Sequence, residues 1–398
     1  MKEKILVLSS SYPQKAGDSN GNFIHELNCK LSAYYDIYVI SPWEKGLSKN
    51  EKINNITIYR HKQFPLINIK LAYGIGIYEK IKANKFNYFV IPFFLLYQIL
   101  MIRKVIKKEK ISFIHCHWII PNAFTACVYK ALINSKVKLI ATAWGSDLFA
   151  FSGKIGSVIK KIILNKIDLL FTQGEPLKKR AIELGYRMPI NSLPCGVNSK
   201  MFSPEKYRKE VKNAINPDGP IILFVGICVE AKGIGYLLES MVKIAAEFPL
   251  VKLLLVGDDS KAGSYKNFIV EKKLDRNIYF YGSTTRDKLP ELFACSDIFI
   301  LPSLSEGWPL VVMEAMSSGL VCIVSDLPVF TENPDYKNLL VIVRKKNAND
   351  IYYAINNILN KNKNYEMIKK QAREFAVKNF DWGAIAYKYM KSLKEISL

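Results

Sequence analysis

Short apolar runs bounded by polar turns recur along the whole chain, with longer amphipathic stretches between them. Runs at 4–8 (KILVL), 35–41 (YDIYVIS), 56–60, 112–116 (SFIHC), 137–142 (VKLIAT) and 168–172 read as strands, and stretches at 23–33, 122–133 and 176–184 as helices. After the turn-rich segment LPCGVNSKMFSP at 193–204, a second series begins. It has strands at 221–225, 251–256, 278–281, 298–301, 321–325 and 340–343 and helices at 235–248 and 309–318. Such alternation predicts an α/β architecture with parallel sheets. Two successive doubly wound halves imply a cleft faced by the carboxyl ends of both sheets. No internal repeat or low-complexity segment interrupts the pattern.

The stretch FILPSLSEGWPLVVMEAMSSG at 299–319 carries the strongest candidate chemistry. A strand leads into a polar turn at 303–307, and Pro309 suits the first position of a helix that stops at Gly319. Glu306 then sits in the loop and Glu314 inside the helix, eight positions on, with neither expected in the core. The N–H groups of Gly307, Trp308, Leu310 and Val311 lie at the positive end of the helix dipole, where an anion such as phosphate is favoured. Together these features describe a pocket for a phosphorylated, hydroxyl-rich ligand. The segment GICVEAKG at 226–233 follows a strand and brings Lys232 to a phosphate at the next helix start. Near the N-terminus, a polar loop with Gly17 and Gly21 joins strand to helix, a unit that commonly holds a ligand.

Alternation places His115 and His117 on one face at the end of a strand and Cys116 on the other. At least one histidine would face the cleft and donate a hydrogen bond to a sugar hydroxyl or to developing negative charge. No metal is expected, because His25 and His61 lie far off in sequence and no carboxylate sits at ligand spacing. Gly74-Ile-Gly76 lacks the third glycine of a dinucleotide fingerprint. The glutamates could serve a glycosidase, whose carboxyl groups stand about 5 Å or roughly 6.5–9.5 Å apart. Eight helical residues rise about 12 Å, and a hydrolase needs neither the phosphate-binding helix start nor Lys232, so that alternative ranks lower.

The length of 398 residues suits two domains, and 49% hydrophobic residues a globular protein. The net charge of +22 is uneven: residues 1–198 hold 29 Lys and Arg against 12 Asp and Glu, a net +17. The first half therefore suits an anionic partner, whether nucleic acid, acidic glycan or membrane, unless lysine-rich genome composition alone accounts for it. A nucleic-acid binder would need stacking platforms that are not seen, so no nucleic-acid partner is expected. Seven scattered cysteines without a C-x-x-C pair fit a reducing compartment. No signal peptide precedes the first strand, so a cytoplasmic protein is expected. The most apolar stretch, 88–102, is too short to span a bilayer and contains Pro92 and Gln98. A helix starting near Pro92 would bury Phe93, Phe94, Leu95, Leu96, Tyr97 and Leu100. Lys80, Lys82 and Lys85 precede it, and Arg103, Lys104, Lys107, Lys108 and Lys110 follow. Peripheral docking on the inner face of the cell membrane is one expectation, and a core helix with a solvated basic end is the other.

The stretch SLSEGWPLVVME with the following AMSSG resembles the E-x7-E signature of family 4 retaining glycosyltransferases, which have the GT-B fold. The resemblance extends through ILVLSSSYP, IHCHW, WGSDL, LPCGVN, FVG, LLLVGD, YGS and FDWGAIAYKY, almost the whole chain. It implies two Rossmann-like doubly wound domains facing a central cleft. Residues 1–198 with 380–398 would form the N-terminal, acceptor-side domain, and 199–379 the C-terminal, nucleotide-sugar-binding domain. The same resemblance implies that Glu306 touches the hydroxyls of the donor sugar and Glu314 the nucleotide ribose. Lys232 and the segment Gly307, Trp308, Pro309 and Leu310 would hold the diphosphate, Gly21 would approach it, and His117 would lie beside the reacting bond. Transfer would retain anomeric configuration with no metal or other cofactor, the helix dipole and cations neutralising the leaving diphosphate. Two positions depart from the pattern: Ile227 stands where most members have arginine, and Trp144-Gly145 where many have His-Gly. The expected activity is sugar transfer from a UDP- or GDP-linked donor to a cell-envelope glycan or lipid-linked acceptor. The alternative is a catalytically silent paralogue that binds glycan or a partner enzyme.

Overall fold

The computed structural model describes the chain except residues 1, 16, 17, 19, 66–68, 70, 74–76, 134, 135, 151, 152, 259–262, 337, 361–363 and 398. Gly17 and the Gly74-Ile-Gly76 segment thus lie outside the described residues. The chain forms two compact units, Met1–Pro194 with Ile385–Leu398, and Cys195–Ala384.

In the first unit, strands β1 (Lys4–Leu8), β2 (Asp36–Pro42), β3 (Asn50–Ile53), β4 (Ile56–His61), β5 (Phe113–His117), β6 (Lys138–Ala143), β7 (Leu169–Thr172) and β8 (Ile190–Ser192) form one sheet. Their order is β3-β4-β2-β1-β5-β6-β7-β8, parallel except for the β3–β4 hairpin. Helix α1 (Asn22–Leu31) follows β1. Helices α2 (Asn87–Glu109), α3 (Phe124–Ile133), α4 (Lys154–Leu164) and α5 (Glu175–Glu183) link β4 through β8. These four crossovers all step the same way along the sheet. The right-handed rule therefore puts α2 to α5 on one face. Their inward residues, among them Ile102, Ala126, Ile163 and Leu177, share one core with Leu6, Ile114 and Leu170.

The second unit holds β9 (Ile221–Val225), β10 (Lys252–Val256), β11 (Ile278–Gly282), β12 (Ile298–Leu301), β13 (Val321–Ser325) and β14 (Val341–Val343), all parallel in the order β11-β10-β9-β12-β13-β14. The apolar runs IILFV and VCIVS are buried throughout, as strands covered by helices on both faces must be. Helix α6 (Ile234–Glu247) follows β9, and α7 (Leu310–Ser317) follows β12. In each sheet the chain runs one way from its starting strand and later returns to that strand's other side. The switch points lie between β1 and β5 and between β9 and β12, where open α/β sheets bind ligands beyond the strand ends.

Three expectations are corrected. The apolar helix starts at Asn87 rather than near Pro92 and runs 23 residues, long and apolar enough to cross a membrane by length and composition alone. It buries Val90, Phe94, Gln98, Ile102 and Val105, while Leu96 and Leu100 are exposed. Gln98 Nε2 donates to Asn122 Oδ1 at 2.9 Å within the core. Pro92 lies on the exposed side, so the Tyr88 carbonyl that its missing N–H leaves free can reach water. Pro309 is the residue before α7, with φ −80° and ψ 97°, rather than its first turn.

The last helix, α8 (Trp382–Ser397), starts where the chain leaves the second unit. There the Val197 N–H donates to the Phe380 carbonyl at 2.7 Å and the Trp382 N–H to the Val197 carbonyl at 3.1 Å. A Cβ built on Gly196 would stand 2.4 Å from the Trp382 ring. We predict that Gly196→Ala destabilises the second unit by about 1–3 kcal/mol through overpacking. In urea unfolding, adding Trp382→Ala should leave the Gly196 substitution nearly without cost; a full additive loss in the double variant would refute the contact.

Candidate functional site

The second unit gathers its polar groups at the β9–β12 switch point. After β9 the chain makes a short 3-10 turn, Glu230–Lys232, and enters α6 through Gly233 at φ +71°. A Cβ there would lie 1.9 Å from the Pro302 carbonyl oxygen. Only glycine permits both that backbone conformation and that approach. The Leu304 N–H donates to the Ala231 carbonyl at 2.9 Å, so the loop after β12 lies against the turn after β9. Lys232 and Glu306, 74 positions apart in sequence, thereby meet: Nζ donates to Oε1 at 2.6 Å, and Ser303 Oγ donates to the same oxygen at 2.6 Å. Glu306 is 11% exposed and Lys232 29%, so the pair is partly shielded but reachable.

Gly307 is exposed and Leu310 half-buried at the entrance to α7, leaving early N–H groups of the helix near the Lys232–Glu306 pair. The Trp308 ring packs toward Tyr336 and Phe380, with centroids 6.3 and 6.2 Å away. It anchors the loop while its backbone stays at the helix start. Ile227 is 50% exposed after β9.

Glu314 differs from its expected setting. It is 3% exposed, within a run from Val312 to Ser317 that is buried on every side. Burial raises its carboxyl pKa, opposed by Arg286, whose Nη2 donates to Oε1 at 2.7 Å. The Arg286 guanidinium also lies 5.3 Å from the Phe202 ring centroid. Arg286 was missed from the sequence; it follows β11 and lies 28 residues before its partner, with no spacing to connect them.

In the first unit, His115 and His117 share a face at the end of β5, their ring centroids 4.5 Å apart. His115 Nε2 pairs with Thr142 Oγ1 at 2.8 Å, and burial pushes its pKa down to about 3. His117 is fully buried; burial, then the neighbouring His115, holds its pKa well below the usual value. Asp147, also missed, receives N–H bonds from Trp144 at 3.1 Å, Gly145 at 3.0 Å and Ile119 at 2.9 Å, joining the loops after β5 and β6. Gly21 precedes α1 at φ +67°, and a Cβ there would lie 2.3 Å from the Ser11 carbonyl oxygen, so its bareness serves the folding of its own loop. Among the described residues, no three His, Cys, Asp or Glu side chains form a metal-binding group.

A family model described as "Glycosyl transferase 4-like" matches residues 18–174, and one described as "Glycosyl transferases group 1" matches 205–375. Sucrose-phosphate synthase from Thermosynechococcus elongatus superposes with a TM-score of 0.76 at 20% identity, over 99% of both chains. HepE from Anabaena, solved in complex with UDP, gives 0.74 at 14% identity, over 98% of this chain and all of that one. The chain carries both domains of a GT-B glycosyltransferase. A relative of this glycosyltransferase is the phosphatidylinositol N-acetylglucosaminyltransferase GPI3 subunit of Saccharomyces cerevisiae, 20% identical over 83% of this chain and 76% of that protein.

Removing Arg286 would leave Glu314 as a buried carboxylate without its cation, raising its folded pKa further above the unfolded value. A raised carboxyl pKa destabilises the fold as pH climbs from the unfolded value toward the folded one, and the loss is recovered on acidification. We predict that Arg286→Ala costs about 3 kcal/mol at pH 8 and clearly less at pH 5. Urea unfolding at both pH values checks this; an equal loss at each would separate Arg286 from the ionisation of Glu314.

Proposed function

We propose that this glycosyltransferase moves a sugar from a nucleotide diphosphate, UDP- or GDP-linked, onto a cell-envelope glycan or lipid-linked acceptor, retaining anomeric configuration without a bound metal. The observation that carries this is the Lys232–Glu306 pair beside the start of α7. In the free protein the two charges satisfy each other. A diphosphate at the helix start competes for the lysine and releases the Glu306 carboxylate to accept from donor-sugar hydroxyls. The bond between the anomeric carbon and the diphosphate oxygen then breaks, its electron pair leaving with the diphosphate. Lys232 and the amides of Gly307, Trp308 and Leu310 neutralise that charge. The acceptor oxygen bonds to the same carbon on the same face, and its proton passes to the departing phosphate oxygen. Pro309, with no N–H, shapes the turn. Glu314 serves the ribose side. The HepE complex with UDP favours a UDP donor.

A silent paralogue is the second possibility, favoured by Ile227, exposed where the resemblance places a cation. A panel of UDP- and GDP-sugars decides between the two. The active enzyme should release nucleotide from one of them, Glu306→Ala should lower kcat/KM by about 10²-fold or more, and Lys232→Ala should weaken diphosphate binding by about 1.5–3 kcal/mol. Neither turnover nor binding across the panel would favour the silent paralogue.

Cytoplasmic residence with peripheral contact to an anionic membrane belongs to the same proposal. The α2–α5 layer presents Phe89 and Leu96 of α2 outward, and on α4 the stripe Ile155, Val158, Ile159 and Ile162, with Ile155 79% exposed. That stripe has the i, i+3, i+4, i+7 spacing normally turned to a core. Exposed Lys161 stands on α4 with the stripe, and α2 of the same unit, which carries most of the net charge, has Arg103, Lys104 and Lys107 exposed. Outward apolar side chains on a cationic unit suit an acidic lipid interface, and the GPI3 relative is named for a lipid acceptor. Flotation with phosphatidylglycerol vesicles should recover the protein at low salt, lose it at high salt, and fail with Ile155→Ser/Ile159→Ser/Ile162→Ser. Absence of flotation at low salt would point to a soluble acceptor.

A further inference from the structure

His117 ends β5 with both ring nitrogens in defined surroundings. Its backbone carbonyl accepts from Asn122 Nδ2 at 2.6 Å, which fixes the main chain. Its ring lies within 26° of the plane of Trp144, centroids 5.8 Å apart, and Trp144 Nε1 donates to His117 Nδ1 at 3.3 Å. The indole is itself held in place. Asp147 accepts from the Trp144 and Gly145 N–H groups, and Phe23 meets the indole edge-on at 4.4 Å. His117 Nε2 is buried and has no partner among the described residues.

An indole nitrogen can only donate, so the atom it points at must carry a lone pair. A neutral imidazole has one proton, and with Nδ1 as acceptor that proton belongs to Nε2. His115, whose ring centroid lies 4.5 Å from that of His117, pairs through Nε2 with Thr142, and no hydrogen bond joins the two imidazoles among the described residues. We propose that Trp144 is a positioning residue that fixes His117 in the Nε2–H tautomer, so that His117 offers a substrate oxygen a hydrogen-bond donor and cannot act as a base there. The tryptophan standing where the resemblance expects His-Gly thereby has a defined task. The catalytic consequence rests on the glycosyl-transfer proposal; the tautomer does not.

The test reads the tautomer directly. In the full-length protein with 15N-labelled histidine, long-range 1H–15N spectra without substrate should show His117 with a bare Nδ1 and a protonated Nε2, assigned by loss of the signals in His117→Gln. Replacing Trp144 by 3-benzothienylalanine exchanges the indole N–H for sulfur and keeps the ring outline. That variant, with unchanged thermal unfolding, should show mixed His117 tautomers and about tenfold lower kcat at nearly constant donor KM, the scale typical of an orienting partner. In a His117→Gln background the same replacement should have no further effect on kcat. A protonated Nδ1 in the wild type, or a wild-type spectrum in the benzothienyl variant, overturns the proposal. So does a shifted tautomer with unaltered turnover. If no nucleotide sugar is turned over at all, the glycosyl-transfer proposal fails while the spectrum still decides the tautomer.

Discussion

Two stretches of chain that are about 70 residues apart pass within contact of each other because position 233 has no side chain. The Pro302 carbonyl occupies the space a Cβ would need, and that approach brings a lysine on one loop to a glutamate on the other. Without it, a cation and a carboxylate would sit at separate strand ends, each solvated and mobile. With it, they form a partly shielded pair whose members are already positioned and whose bond a polyanion can exchange.

Burial divides the two glutamates of the 299–319 stretch into different electrostatic situations. Glu306 retains access to solvent, so its pairing with Lys232 is reversible at small cost. Glu314 lies in a helix surrounded by core, where burial raises its carboxyl pKa and Arg286 opposes the rise. Desolvation of one charge is expensive unless the other is present, so Arg286 is tied to the fold as well as to the site.

The parallel strands were legible because each is buried on both faces and reads as an unbroken apolar run, as in IILFV. The edge strand β3, NEKI, alternates between exposed and half-exposed positions and carries no such signal. The start of α2 was misplaced because proline normally marks a first turn, whereas Pro92 is tolerated on a wet face. Glu306, Lys232 and His117 could be singled out from local motifs. Arg286 and Asp147 were not, since their partners are joined to them only by the fold. The burial of Glu314 was equally invisible, because the residues that cover α7 come from distant parts of the chain: Ser317 Oγ, for example, donates to the Phe202 carbonyl.

The first unit is discontinuous in sequence. Its closing segment, within α8, brings Tyr389 onto Phe171 at 3.9 Å and its hydroxyl to Thr142 Oγ1 at 3.2 Å. On the ribosome, residues 195–384 are all synthesised before that segment exists. The second unit is therefore fully synthesised while the face of β6 and β7 that Tyr389 covers is still open, and that face closes only when the last helix has emerged. The order of synthesis makes the unit that begins first the one that is finished last.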